Sequence, residues 1–323
     1  MRKEDLRIVY MGTPEFAVES LKQLVTGGYN VVGVVTVPDK PIGRHGSILS
    51  PSPVKEFAVS NGLKVLQPTN LKDPSFVDEL RALNANLQIV VAFRMLPEIV
   101  WNMPKLGTFN LHASLLPQYR GAAPINWAVI NGEKETGITT FFLKHEIDTG
   151  EIIQQVAVPI ALTDNVGVVY DKLMLLGGQL VLETVEAILN DSVVAIPQER
   201  LVKDTVLKPA PKIFKYTCCI HWENSTLSIY NLVRGLSPYP ASWTTFFLPG
   251  EKGVVVKIYQ VEQLLKEHSY PCGTILSDGK TFLHIATTDG FINVKELQMT
   301  GKKKMFIADF LRGYRLKDGL FAK

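Results

Sequence analysis

The sequence predicts an α/β protein: a Rossmann-like, open and mostly parallel sheet, followed by a small antiparallel β-barrel of the OB-like kind. Three observations carry this expectation. Apolar runs alternate with helical stretches over the first two hundred residues; the pattern dissolves between Pro197 and Lys215; short β-rich runs separated by turn signals fill the remainder. A length of 323 residues suits two domains, and 46% hydrophobic against 20% charged residues lets each bury a core. The division expected is 1–196 for the Rossmann-like domain, 197–215 for a linker and 216–323 for the barrel.

Leu6–Met11 is a β-rich run that ends at Gly12-Thr13-Pro14, and a helical pattern follows to about Thr26, stopped by Gly27-Gly28. Val31–Val37, Leu87–Ala92 and Gly107–His112 read as further strands, with helices near Pro53–Ser60 and Pro74–Leu83 between them. Their near-continuous apolar character predicts a parallel sheet covered on both faces. Thr136–Leu143 and Glu151–Ile160 read as two strands joined by a polar loop. A long helix is expected from about Asn165 to Asn190, with Val166, Val169, Leu173, Leu176 and Leu180 on one stripe. Gly177-Gly178 inside it implies a close approach of another chain segment, since glycine there costs about 1 kcal/mol per residue against alanine. Beyond the linker, a helix near Ser225–Gly235 precedes strands at Ser242–Leu248, Val254–Leu265, Gly273–Leu276, Phe282–Thr288 and Phe291–Leu297.

The net charge of +3 hides an asymmetry: residues 1–200 carry 17 basic and 21 acidic side chains, whereas residues 201–323 carry 17 basic and 10 acidic. A basic second half suits a polyanionic partner such as nucleic acid. Cys218, Cys219 and Cys272 form no C-x-x-C pair, so neither a disulfide framework nor a zinc site is suggested. No run approaches the roughly 18–20 apolar residues of a membrane span, and the charged start lacks a secretory signal. A cytoplasmic protein without a membrane association is expected.

Gly12-Thr13-Pro14-Glu15-Phe16 supplies only the first of the three glycines of a dinucleotide fingerprint, and Asp39 alone is a weak ribose-binding acid. The informative segment is Phe109–Pro117. Asn110 and His112 are two apart at the end of a strand, so both side chains leave one face, at the carboxyl edge where open α/β sheets place ligands. Asp148, in the polar turn Lys144–Gly150, can add a carboxylate, and His145 in the same turn is an alternative base. An amide donor, an imidazole and a carboxylate suit acyl transfer to an amine: the oxyanion needs preorganised donors and the ammonium must lose a proton. No G-x-S-x-G elbow is present, so direct attack through a tetrahedral intermediate is simpler than a covalent enzyme intermediate.

Phe109–Pro117, Tyr119–Ile125 and Asp148-Thr149-Gly150 resemble the signature of the formyltetrahydrofolate-dependent formyltransferases. Gly12–Ala17, Pro38–Arg44, Pro51–Lys55, Ile220-His221-Trp222, Leu232–Ala241 and Gly301–Leu316 extend the resemblance to the branch acting on methionyl-tRNA, over essentially the whole chain. The resemblance implies Asn110, His112 and Asp148 as the catalytic trio, with Asn110 and a protonated His112 on the oxyanion and Asp148 holding the imidazole. It implies a 10-formyltetrahydrofolate cosubstrate bordered by Ser114, Leu115, Leu116 and Pro117, its pterin against Phe93, Met95 and Leu96, and no metal. Initiator methionyl-tRNA is the implied acceptor, met by Arg44 at its acceptor arm and by Lys208, Lys212, Lys302, Lys303 and Lys304, with the protein a monomer.

Two departures stand out. His45-Gly46-Ser47-Ile48 replaces lysines that many members carry, and Ala92–Pro97 lacks a common glycine and is one residue shorter. The nearest rival reading is a formyltransferase for an amino-sugar nucleotide, and a rival of another class is a noncatalytic RNA-binding module.

Overall fold

Strand β1 (Arg7–Gly12) shows why the first sheet takes no alternating pattern: Ile8, Val9, Tyr10 and Met11 are all fully buried, so both faces are covered. The computed structural model describes residues 2–42, 48–202, 206–247, 252–314 and 319–323. Helix α1 (Phe16–Thr26) follows a tight turn and ends at Gly27. Tyr10 reaches it from the sheet, donating to the Ala17 carbonyl at 2.6 Å and meeting Ser20 Oγ at 2.6 Å. Burial raises the Tyr10 phenol far above its ordinary range, so it stays a donor.

β2 (Asn30–Val35) comes next, then a short hairpin of β3 (Lys40–Ile42) and β4 (Ile48–Ser50). Helix α2 (Pro53–Ser60) starts where Ser52 accepts from the Lys55 amide and Pro53 presets the first turn. After β5 (Val65–Leu66), helix α3 (Pro74–Ala82) begins in the same way, on Asp73 and Pro74. β6 (Leu87–Val91), α4 (Glu98–Trp101), β7 (Thr108–His112), α5 (Pro124–Ile130), β8 (Glu135–Phe142), β9 (Ile152–Pro159) and α6 (Val166–Leu189) complete the run. The sheet order is β5-β2-β1-β6-β7-β8-β9. Pairing is parallel from β5 through β7 and antiparallel from β7 to β8. The strand order reverses beside β1, so the carboxyl ends of β1, β6 and β7 line the edge at which this kind of sheet binds ligands.

Val166, Val169, Leu173 and Leu180 are buried along α6, as the stripe predicted, while Leu176 is half-buried. The glycines also have a reason. A Cβ on Gly177 would stand 2.8 Å from Leu111 Cδ2, and one on Gly178 would stand 3.1 Å from side-chain carbons of Gln23 and Glu19. The close approach is therefore to β7 and α1.

The second sheet is antiparallel, with order β12-β13-β14-β11-β10-β16 and β15 against β14. Its members are β10 (Ser242–Phe247), β11 (Val254–Leu264), β12 (Ile275–Ser277), β13 (Leu283–Ala286), β14 (Phe291–Met299), β15 (Met305–Phe306) and β16 (Phe321–Ala322). A bridge between Thr274 and Phe321, with Ala322 N–H donating to the Gly273 carbonyl at 2.8 Å, brings the two ends together into a barrel. Helix α7 (Thr226–Leu236), capped by Ser225, packs Ile229 and Val233 into its core beside Trp222, Ile258, Ile285 and Val294. Helix α8 (Ile307–Gly313) adds Ile307, Phe310 and Leu311. Sequence analysis placed no helix there, although the i, i+3, i+4 spacing of those three residues is the signal of one.

The chain divides into two compact units that interleave in sequence. The first takes Met1–Gly121, Thr136–Pro159 and Tyr170–Pro209; the second takes Ala122–Glu135, Ile160–Val169 and Ala210–Lys323. In the second unit, buried Arg234 donates to Asn231 Oδ1 at 2.8 Å and to the Asp164 carbonyl at 3.0 Å. Those bonds tie the segment before α6 to α7. Among the described residues no helix is long and apolar enough to cross a membrane.

The contact beneath α6 gives a stability prediction. Gly177→Val inserts atoms against Leu111 in a full core and should cost about 1–3 kcal/mol, read as a lower urea midpoint with an unchanged m-value.

Candidate active site

His112 is the last residue of β7 and Asn110 lies two before it; Leu111 between them faces α6. The period of the strand thus sends both polar side chains to the same face. His112 is 7% exposed, and its Nε2 sits 2.9 Å from the Tyr119 carbonyl oxygen. A carbonyl can only accept, so Nε2 carries a proton, and the neutral form of the ring is the tautomer with its lone pair on Nδ1. The Asp148 Oδ2 is 3.9 Å from that Nδ1, an ion-pair distance too long for a direct hydrogen bond.

Asp148 occupies the turn between β8 and β9, in the left-handed region at φ +54. Its side chain is 12% exposed, and Oδ2 accepts from the Gly121 amide at 3.0 Å. Next to it, Gly150 is required because a Cβ would fall on the Phe142 carbonyl oxygen. The structure therefore brings Asn110, His112 and Asp148 to one place from two elements distant in sequence.

Among the described residues, four buried side-chain polar atoms have no hydrogen-bond partner: Thr13 Oγ1, Arg94 Nε, Asn110 Oδ1 and Thr136 Oγ1. Thr13 follows the carboxyl end of β1, Arg94 follows that of β6, and Asn110 lies on β7. Buried polar atoms are almost always satisfied. Unanswered groups along one sheet edge therefore fit a polar ligand there. The amide of Asn110 can offer Nδ2–H to a developing oxyanion or Oδ1 to an amine proton.

The other expected site residues fall in different settings. Phe93 and Leu96 pack into the core beneath the β6 turn, while Met95 is 72% exposed. Met95 and Leu96 line a cavity of about 490 Å³ with Leu71, Arg94 and Pro97. Ser114, Leu116 and Pro117 are buried, Leu115 half-buried, and the Ser114 hydroxyl donates to the Gln118 carbonyl at 2.7 Å. A second cavity, of about 420 Å³, is lined by Trp101, Arg120, His145 and Thr149 among others. His145 is exposed there, against Glu98 at 3.4 Å, and does not join the trio. Asp39 is engaged by Lys55 Nζ at 2.6 Å and Gln67 Nε2 at 2.8 Å, bonds that hold its carboxyl below the usual range. Arg44 lies outside the described residues.

Of the candidate lysines, Lys208, Lys212, Lys302 and Lys303 are exposed. Lys304 pairs with Glu296 at 3.1 Å and lies over the Tyr259 ring. Sequence reasoning overlooked their aromatic neighbours. Phe214 and Tyr216 stack at 5.5 Å between centroids and 10° between planes, both exposed, with Lys212 Nζ over Phe214 at 5.6 Å. The alternation Lys212-Ile213-Phe214-Lys215-Tyr216 was the available signal. Among the described residues no group of three or more His, Cys, Asp or Glu side chains is placed to hold a metal.

Known proteins resemble the chain along both of its halves. The formyl transferase family model matches residues 6–185, and the model of the formyl transferase C-terminal domain matches residues 212–315. A methionyl-tRNA formyltransferase of Phocaeicola vulgatus is 69% identical over 319 residues, covering 98% of each chain. Another, of Bacteroides thetaiotaomicron, is 63% identical over 319 residues, covering 99% of each. Among solved structures, the N-formyltransferase from Helicobacter canadensis, in complex with folinic acid and dTDP-3-aminofucose, shares the fold with a TM-score of 0.65. It is 20% identical and aligns over 91% of this chain and 99% of its own. With both halves matched and such identity sustained along nearly the whole sequence, the chain belongs to the formyl transferase family.

Proposed function

We propose that the protein transfers the formyl group of 10-formyltetrahydrofolate to the free amino group of initiator methionyl-tRNA, as a monomer in the cytoplasm. The observation that supports it most is the convergence of Asn110, His112 and Asp148 at the carboxyl edge of β7, with the Asn110 carbonyl oxygen buried and unanswered. Names borne by relatives this similar along their whole length support the choice of acceptor.

The chemistry follows from the tautomer that Tyr119 fixes. The amine nitrogen attacks the formyl carbon, and the carbonyl electron pair moves onto oxygen, where Asn110 Nδ2–H meets it. His112 Nδ1 takes the proton that the amine sheds, and the Asp148 carboxylate beside it steadies the imidazolium. The new Nδ1–H can then serve the oxyanion, the donor role the resemblance implied. As the tetrahedral adduct collapses, the bond from carbon to the folate nitrogen breaks and that nitrogen leaves with the proton. No atom of the protein is consumed.

The folate would lie along the edge formed after β1 and β6, where Thr13 and Arg94 keep unanswered polar atoms and Arg94 lines the cavity with Met95 and Leu96. For the RNA, the stacked Phe214–Tyr216 pair flanked by Lys212 and Lys215 has the make-up of a base-stacking platform, aromatic faces set among cations. That favours the segment at 212–216 over Lys304, whose charge Glu296 already answers.

Two outcomes are expected. With labelled 10-formyltetrahydrofolate, label appears on charged initiator methionyl-tRNA and not on an amino-sugar nucleotide offered in parallel; label on the sugar alone would overturn the acceptor. Replacing Phe214 and Tyr216 together with alanine raises the KM for tRNA by about 10-fold or more and leaves that for folate unchanged, and the KM for tRNA rises steeply with salt.

A further inference from the structure

Gln198 lies in a stretch read from sequence as linker, yet it is completely buried. Its Nε2 donates to the Asp148 carbonyl at 2.9 Å and to the Gly150 carbonyl at 2.8 Å. Its Oε1 accepts from Arg120 twice, from Nε at 3.1 Å and from the terminal nitrogen at 2.6 Å. The pattern itself fixes the orientation of the amide, because the reverse would set oxygen against two carbonyls and NH₂ against a guanidinium.

Two features make this more than a satisfied core glutamine. The carbonyls it holds belong to the turn that carries Asp148, a non-glycine residue at φ +54. Arg120, its other partner, directly precedes Gly121, whose amide binds the Asp148 carboxylate at 3.0 Å. One side chain thus ties the backbone beneath Asp148 to the segment that supplies the carboxylate's own donor. A shift of the turn would change the 3.9 Å separation between Asp148 and His112.

We propose that Gln198, itself held by Arg120, is a positioning residue that sets the aim of the Asp148 carboxylate at His112. The inference rests on the reading that Asp148 takes part in formyl transfer, and the test separates the two.

The experiment compares steady-state kinetics of the full-length protein carrying Gln198→Leu, Gln198→Glu, Asp148→Ala and the combination Gln198→Leu/Asp148→Ala, each checked by thermal melting. Gln198→Leu is expected to lower kcat by about 10- to 100-fold, the range for losing a residue that orients a functional ligand. The KM values for folate and tRNA should stay within about threefold. In the Asp148→Ala background the same change should add almost nothing, since two residues acting through one interaction are non-additive. Gln198→Glu keeps the size of the side chain but can donate to a carbonyl only when protonated. Its activity relative to the native protein should therefore rise as pH falls, a readout that keeps the test decisive if the leucine variant fails to fold. A native kcat in Gln198→Leu, full additivity with Asp148→Ala, or a pH-independent ratio for Gln198→Glu overturns the positioning role. Native activity in Asp148→Ala overturns the underlying reading of Asp148 instead, and the positioning role with it.

Discussion

A carboxylate withdrawn from water is costly unless hydrogen-bond donors answer it, and the geometry of the candidate site is organised around that requirement at Asp148. The Gly121 amide supplies one donor and the His112 ring lies beside the same oxygen. The turn beneath it is left-handed and closes over Gly150, so the carboxylate cannot simply swing out on an ordinary loop. His112 is fixed from the other side by the Tyr119 carbonyl. These partners set the ring nitrogen Nδ1 3.9 Å from the Asp148 carboxylate, where a proton taken up by Nδ1 is answered by the negative charge beside it.

The sheet makes this possible. β7 is flanked by parallel β6 and antiparallel β8, with Phe109 opposite Phe142 and His112 opposite Thr139, so the turn after β8 leaves beside the start of β7 and folds back along the strand to bring Asp148 to His112. Gly177 of α6 lets the helix settle against Leu111, the residue between Asn110 and His112, which turns those two the opposite way. Packing on one face of the strand thereby settles which side chains stand on the other.

Much of this was legible in the sequence because it depends on short periodicities. A continuous apolar β1, a Ser or Asp cap before Pro in α2 and α3, and the stripe along α6 each follow from local rules. Asn110 and His112 could be paired by the strand period alone. What escaped was nonlocal or carried by backbone. Nothing in the composition of the Pro197–Lys215 stretch marks Gln198, whose partners lie 50 and 78 residues away. The Tyr119 carbonyl that selects the His112 tautomer has no side-chain signature. The burial of Ser114, Leu116 and Pro117 likewise depends on tertiary packing, and α8 was passed over because its three apolar positions make a short pattern.

The proposed chemistry depends most directly on the amide of Asn110, and a single-turnover measurement tests that dependence. With native protein or Asn110→Ala in excess over methionyl-tRNA and with folate saturating, the rate of formyl transfer is followed together with the dissociation constant for the tRNA. Loss of a preorganised oxyanion donor should slow the transfer by about 10²- to 10³-fold while tRNA binding is unchanged. A transfer rate within about threefold of the native value would contradict the assignment of this edge of the sheet as the place where the formyl group moves.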